Sequence, residues 1–345
     1  MARINLNEPL SSADEKLLVA LADPEAKAPA ADWNSNRMSA LVEAADNHGV
    51  LPVVTRKFRT LATGGTSFDP TSRRLIEESG QSLTIATGQS MMLSFHGRRI
   101  FGALAAGGVG ASIVKGPVFA EKLYPHIADR PFGDIDILVD TNDIDGANEI
   151  IGKNGFELAP DPVENHSSTI QEFKWLLAGN SYVMIELHGN LIHSPELRRR
   201  LTFGRKELLA VGEGNPESPV ALLMIAVIHG AGGHKFFRLQ LLVDILQSAR
   251  AVVRAGCEEQ FIRAARRLGA ELELSCALNA AGVLFEDSAA LRLASLLPGS
   301  LSASLGRRLI SPRAILDATT TRGLRSRLQR DFFRLLQKYT PSRAV

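Results

Sequence analysis

Residues 115–140 read Lys-Gly-Pro-Val-Phe-Ala-Glu-Lys-Leu-Tyr-Pro-His-Ile-Ala-Asp-Arg-Pro-Phe-Gly-Asp-Ile-Asp-Ile-Leu-Val-Asp. In the second half Ile135, Ile137 and Val139 recur with the two-residue period of a β-strand, which places them on one face. Asp134 and Asp136 then share the opposite face near the strand's start. Two carboxylates aimed the same way repel each other, and a bound cation removes that penalty. The expectation is a Mg²⁺ site for phosphoryl or nucleotidyl transfer. A calcium loop is excluded by spacing: the fifth and sixth positions from Asp134 are Leu138 and Val139, where an EF-hand needs an oxygen ligand and a glycine.

Cations that bridge a triphosphate need further hard oxygen ligands. The run Tyr182-Val183-Met184-Ile185-Glu186-Leu187-His188 offers one. Val183, Ile185 and Leu187 form its apolar face, which leaves Glu186 and His188 on the other. Placed beside the Asp134 strand, it makes Glu186 the third member of a carboxylate cluster. His188 either joins the site or hydrogen-bonds a neighbour.

Working outward, residues 100–114 are apolar and glycine-rich but shorter than the roughly 20 residues a helix needs to span a bilayer. They read as a helix end, a turn through Gly107, Gly108 and Gly110, and a buried strand through Ile113 and Val114. No membrane span is expected. Lys115-Gly116-Pro117 is a sharp turn into a short helix, with Pro near its first turn. After the Asp134 strand come a helix over 144–154 closed by Gly155, a strand over 156–159, and two strands over 168–177 and 182–192. Ala178-Gly179-Asn180 is a good hairpin turn for the last two. Such an order indicates an α+β fold, a small mixed β-sheet core flanked by helical segments on both sides.

The flanks read as helical. Ser11 offers an N-cap ahead of Leu17, Leu18 and Leu21, a second helix covers 33–48, and 61–70 is a loop. Residues 72–101 form one long or broken helix, interrupted by Gly80, Gly88 and Gly97. Beyond Ser194, helices are expected over 220–230, 239–253, 258–268, 271–284 and 289–296. The tail is rich in arginine, with Arg307, Arg308, Arg313, Arg322, Arg325, Arg327, Arg330 and Arg334.

At 345 residues two or three units are expected: an N-terminal helical segment (1–99), the core (100–195) and a C-terminal helical domain (196–345). A net charge of +2 is too small to imply a polyanion partner for the whole molecule. Cys257 and Cys276 form neither a disulfide framework nor a zinc site by spacing, and the N-terminus lacks the apolar core of a signal peptide. A cytoplasmic protein is expected. His229 and His234 lie five residues apart, not at the four-residue helical spacing of a zinc pair.

With these pieces in order, the chain resembles a bacterial family of uncharacterised nucleotidyltransferases in the DNA polymerase β-like superfamily. The matching residues are Lys115-Gly116, Tyr124-Pro125, Arg130, Asp134 to Val139, Glu186-Leu187-His188, His229-Gly230, Arg238-Leu239 and Asp244-Ile245. Ala45 to Val50 also fits. The resemblance implies that Asp134, Asp136 and Glu186 bind the metal ions, with Glu186 also able to take the acceptor's proton. It implies that Lys115 and Arg130 contact phosphates, that Gly116 lets the backbone approach the nucleotide, and that His229, Arg238 and Asp244 frame the base, ribose or acceptor. For those three, a polar network between helices is the competing reading. Better-known members carry a Gly-Ser turn where this chain has Lys115-Gly116-Pro117. The expected reaction moves a nucleoside monophosphate from an NTP, ATP or CTP, to a hydroxyl or phosphate acceptor and releases pyrophosphate. The acceptor is open among small molecules, peptides, proteins and RNA. The rival readings are a catalytically silent nucleotide-binding protein and a scaffold of the same fold.

Overall fold

The structure is a computed structural model that describes residues 10–160, 172–317 and 324–340. The chain begins with α1 (Ser12–Ala22), α2 (Ser35–Asn47), α3 (Leu51–Thr63) and α4 (Pro70–Ala106). The sheet region follows as β1 (Ala111–Val114), α5 (Gly116–Leu123), β2 (Ile135–Val139), α6 (Ile144–Lys153), β3 (Phe156–Leu158), β4 (Glu172–Leu177) and β5 (Asn180–His188). Then come α7 (Pro195–Arg198), α8 (Arg205–Val211), α9 (Pro219–Ile228) and α10 (Leu239–Arg254). The chain closes with α11 (Glu258–Leu268), α12 (Glu271–Leu284), α13 (Ser288–Ser295), α14 (Leu301–Leu309), α15 (Pro312–Leu316) and α16 (Leu324–Tyr339). Expected strand residues 168–171 and Arg322 lie outside the described residues.

The five strands form one mixed sheet in the order β1-β2-β5-β4-β3. β2 and β5 run parallel, while β1 is antiparallel to β2, and β4 is antiparallel to both β5 and β3. The fold is therefore α+β, a small mixed sheet among many helices, as expected. The two-residue period sorts the faces of the central strands. Ile135, Ile137, Val139, Val183, Ile185 and Leu187 pack against Leu93, Ile100 and Leu104 of α4 and Ala147 and Ile151 of α6. The opposite face is left to Asp136, Glu186 and His188.

One correction concerns α4. It runs unbroken for 37 residues, about 55 Å at 1.5 Å per residue. Asp69 caps its start by accepting from the Ser72 N–H at 2.9 Å, and Pro70 occupies the first turn. Each glycine costs a helix about 1 kcal/mol relative to alanine, yet Gly97 has a packing reason. A Cβ there would lie 3.1 Å from Cγ2 of Ile135, so its absence lets the helix settle directly on β2. A second correction is that Leu61 to Thr63 close α3 instead of opening a loop.

Helices before and after the sheet share one larger core. It joins Leu18, Met38 and Phe58 to Phe119 and Leu138, and these to Leu223, Leu242, Leu278 and Phe333. Within it lies α9, apolar all round and buried from Val220 to Ile228. Ion pairs reinforce the joint: Arg250 meets Asp23 and Asp287, each at 2.8 Å, and Arg56 meets Asp129 at 2.7 Å. Among the described residues no helix is long and apolar enough to cross a membrane.

Candidate active site

On its polar face the sheet borders an open cleft of about 780 Å³, lined on another side by the segment between α9 and α10. Its floor is set by strand register. Asp136 of β2 pairs with Glu186 of β5, and Lys174 of β4 pairs with Glu186 from the other side. Asp136, Glu186 and His188 each offer a ligand atom within 4.8 Å of the others. Asp134 lines the same cleft but precedes the strand, which begins at Ile135.

The two aspartates differ electrostatically. Burial acts against the charge of Asp136, but Lys115 and the His188 hydrogen bond outweigh it and hold the carboxyl well below its usual range. Lys115 Nζ lies 2.6 Å from Asp136 Oδ1, and His188 Nε2 lies 2.9 Å from the same oxygen. Repulsion between the carboxylates is therefore not what governs Asp136, which already has two partners. Asp134 has no ion-pair partner among the described residues. Burial first, then the charges of Asp136 and Glu186, push it up to about 6.

Lys115 sits in the turn between β1 and α5 with φ +60° and ψ −143°, a conformation that a side chain enters only under strain. That turn aims its ammonium into the cleft. Gly116 follows with φ +38°, and a Cβ there would come within 3.4 Å of the Asp134 carbonyl oxygen. That contact would be an ordinary one, so it is the positive φ of the turn that calls for glycine.

Arg130 and Asp244 are brought together from 114 residues apart. The guanidinium donates from Nε at 3.0 Å and from Nη2 at 2.9 Å to the two oxygens of Asp244, and Tyr124 donates to Oδ1 at 2.7 Å. Burial opposes the Arg130 charge, but the Asp244 carboxylate raises its affinity for the proton further. Arg130 therefore lines the cleft wall with its charge fixed in place, and Asp244 reaches the site through it.

A π-helical turn over His229–Gly233 follows α9, with Gly230 to Gly232 buried. The rings of His229 and His234 meet edge to face at 4.5 Å. Desolvation, then the charge of Lys115, lowers both: His229 is held well below its usual range, and His234, although exposed at the cleft rim, is lowered to about 4. Arg238 is exposed in the cleft, stacked on Phe237 at 4.7 Å. Arg334 of α16 donates to the Gly232 carbonyl and also lines the cleft. Gly49 completes the wall, where the end of α2 meets the start of α10 through the Gln240 N–H and the His48 carbonyl at 3.1 Å.

Among the cleft residues that escaped the sequence reading are Glu172, Lys174 and His193. Lys174 Nζ lies 2.9 Å from Glu186 Oε1 and 3.4 Å from Glu172 Oε1, and His193 Nδ1 lies 2.5 Å from Glu172 Oε2. The alternation Glu172, Lys174 against Phe173, Trp175 was the available signal.

A model of the family described as uncharacterised nucleotidyltransferase matches residues 34–286. The chain belongs to that family. No curated protein and no solved structure matches it. The matched span holds the whole sheet and every cleft residue named above except Arg334. Membership in this nucleotidyltransferase family supports nucleotidyl transfer as the general chemistry, with a nucleotide as substrate. The cluster of carboxylates and histidine is compatible with a divalent metal.

Proposed function

We propose that the chain is a Mg²⁺-dependent nucleotidyltransferase that moves a nucleoside monophosphate from an NTP, ATP or CTP, to a hydroxyl or phosphate acceptor with release of pyrophosphate. The observation carrying this reading is the register that sets Asp136 beside Glu186 on adjacent parallel strands, inside a cleft edged by Lys115. Asp134, Asp136 and Glu186 would hold the metal. The donor set fits a hard cation, because the Asp134 carboxylate lacks a positive partner among the described residues and resists ionisation. When bound, Mg²⁺ supplies charge neutralisation along the triphosphate and polarises the phosphorus under attack.

The side chains divide the remaining work. Lys115 and Arg130 face the phosphates and offset the charge that grows on the leaving pyrophosphate. Gly116 admits the nucleotide close to the backbone. Neutral His229, with Arg238, frames the base and ribose, while Asp244 keeps Arg130 oriented. Glu186 takes the proton from the attacking hydroxyl, and His188 holds Asp136 ionised. The acceptor is a small molecule, peptide, protein or RNA. Two free cysteines, Cys257 and Cys276, suit the cytoplasm.

The test incubates the full chain with each α-³²P-NTP, Mg²⁺ and a cell extract. Transfer of label to a product, abolished by EDTA, is the expected result. An NTP-induced rise in melting temperature without any labelled product would select the silent nucleotide-binding reading, and neither effect with any NTP would select the scaffold.

A further inference from the structure

Glu172 and His193 lie beyond the carboxylates assigned to Mg²⁺, at the β4 side of the cleft. Glu172 is opposite His188 in the β4–β5 register, and His193 follows five residues later. One ligand atom from each of Glu172, His188 and His193 lies within 4.8 Å of the other two. Bonds of about 2.1 Å in a tetrahedral site separate neighbouring ligands by about 3.4 Å. Small side-chain adjustments therefore suffice to close the three on one ion.

His188 provides a second, independent observation. Its ring is fully buried; Nε2 is engaged by Asp136 at 2.9 Å, while Nδ1 is buried with no hydrogen-bond partner among the described residues. A buried ring nitrogen without a partner is a penalty the fold ordinarily avoids. A metal-ligating imidazole typically binds through one nitrogen and donates the other N–H to a carboxylate. An ion bound at Nδ1, with Asp136 on Nε2, would reproduce that relay. The rings of His188 and His193 stand 5.6 Å apart and nearly perpendicular, and His193 Nδ1 already meets Glu172 Oε2 at 2.5 Å.

We infer that Glu172, His188 and His193 form a second metal site, selective for a borderline transition ion such as Zn²⁺ or Co²⁺. Two imidazoles and one carboxylate favour such ions over Mg²⁺, which prefers oxygen. The ion takes the place of the proton joining His193 to Glu172. Lys174, which bridges Glu172 and Glu186, then shifts wholly to Glu186. The site stands whether or not the chain transfers nucleotides.

The test uses the full chain stripped with EDTA and titrated with Co²⁺ alone, read by visible d–d absorption and by metal content after gel filtration. The expected result is that one Co²⁺ per chain withstands excess Mg²⁺, and that it does so in Glu186→Gln as well. His193→Ala and Glu172→Gln lower the affinity by about tenfold or more, with far-ultraviolet circular dichroism unchanged. His193→Cys keeps binding and adds thiolate-to-metal absorption. A wild-type chain that takes up no Co²⁺, loss of Co²⁺ to excess Mg²⁺, or unchanged affinity in folded His193→Ala overturns the assignment.

Discussion

Replacing Asp136 with asparagine keeps the shape of the side chain and removes its charge. In the parent, Asp136 Oδ1 receives Lys115 at 2.6 Å and His188 at 2.9 Å, with the aspartate side chain 3% exposed and the lysine 10%. Removing one partner of a buried ion pair costs about 3–5 kcal/mol. Lys115 borders the cleft and is able to turn its ammonium to water, which sets the loss near the lower end, about 3 kcal/mol. Against this stands relief of repulsion with Asp134. That group rises from 3.8 to about 6 with burial as the largest cause, so the share owed to Asp136 is about 1 kcal/mol. The net loss is about 2 kcal/mol, roughly a thirtyfold drop in the folded-to-unfolded ratio. Urea unfolding at pH 7.5 without Mg²⁺ measures it. Because the folded carboxyl is depressed, its contribution is complete above the unfolded value near 4 and is lost as pH falls toward the folded one. The gap between parent and variant should widen from about 2 to about 3 kcal/mol as pH falls from 7.5 to 5 and Asp134 takes up its proton, and narrow below about 4. A variant as stable as the parent at pH 7.5, or more stable, would refute the reasoning and restore pure repulsion.

Asp134→Asn should act in the opposite direction. Its folded carboxyl, pushed up to about 6, makes the parent lose stability as pH rises from about 4 to 6. The variant is then more stable at pH 7.5 by up to about 3 kcal/mol and equal below pH 4, as urea midpoints at several pH values will show. Glu186→Gln should slow labelling from α-³²P-NTP by about 10²–10⁴-fold while NTP binding, followed by calorimetry, persists. Asp244→Ala leaves Arg130 and Tyr124 without their buried acceptor and should cost about 3–5 kcal/mol in thermal unfolding. The double change Arg130→Met, Asp244→Leu should recover much of that loss, although not the transfer activity.

The polar face of the sheet was legible in the sequence because the two-residue period of β2 and β5 separates acids from apolar residues without reference to any partner. Which strand lies beside which is a long-range fact; the parallel pairing of Asp136 with Glu186 had to be supposed. Partners distant in sequence were beyond the same reasoning. Nothing local marks Asp244 as the acceptor for Arg130, or Lys115 as the cation that offsets Asp136, so the carboxylates looked more frustrated than they are. Glycine misled for a related reason: Gly97 reads as a helix breaker until Ile135 is known to press against it. Glu172 and His193 were overlooked because each, taken alone, resembles an ordinary strand edge or loop residue.

The bidentate link between Arg130 and Asp244 limits how the molecule can be divided. It joins the segment leading into Asp134 to the middle of α10, across the boundary where a minimal catalytic fragment would otherwise be cut. A truncation ending after β5 would inherit an orphaned guanidinium in the wall of its cleft and a bare apolar surface at Phe119 and Leu138. Sheet and distal helices are thus a single inheritance unit: neither half can be exchanged for a foreign module unless the other end of that link travels with it.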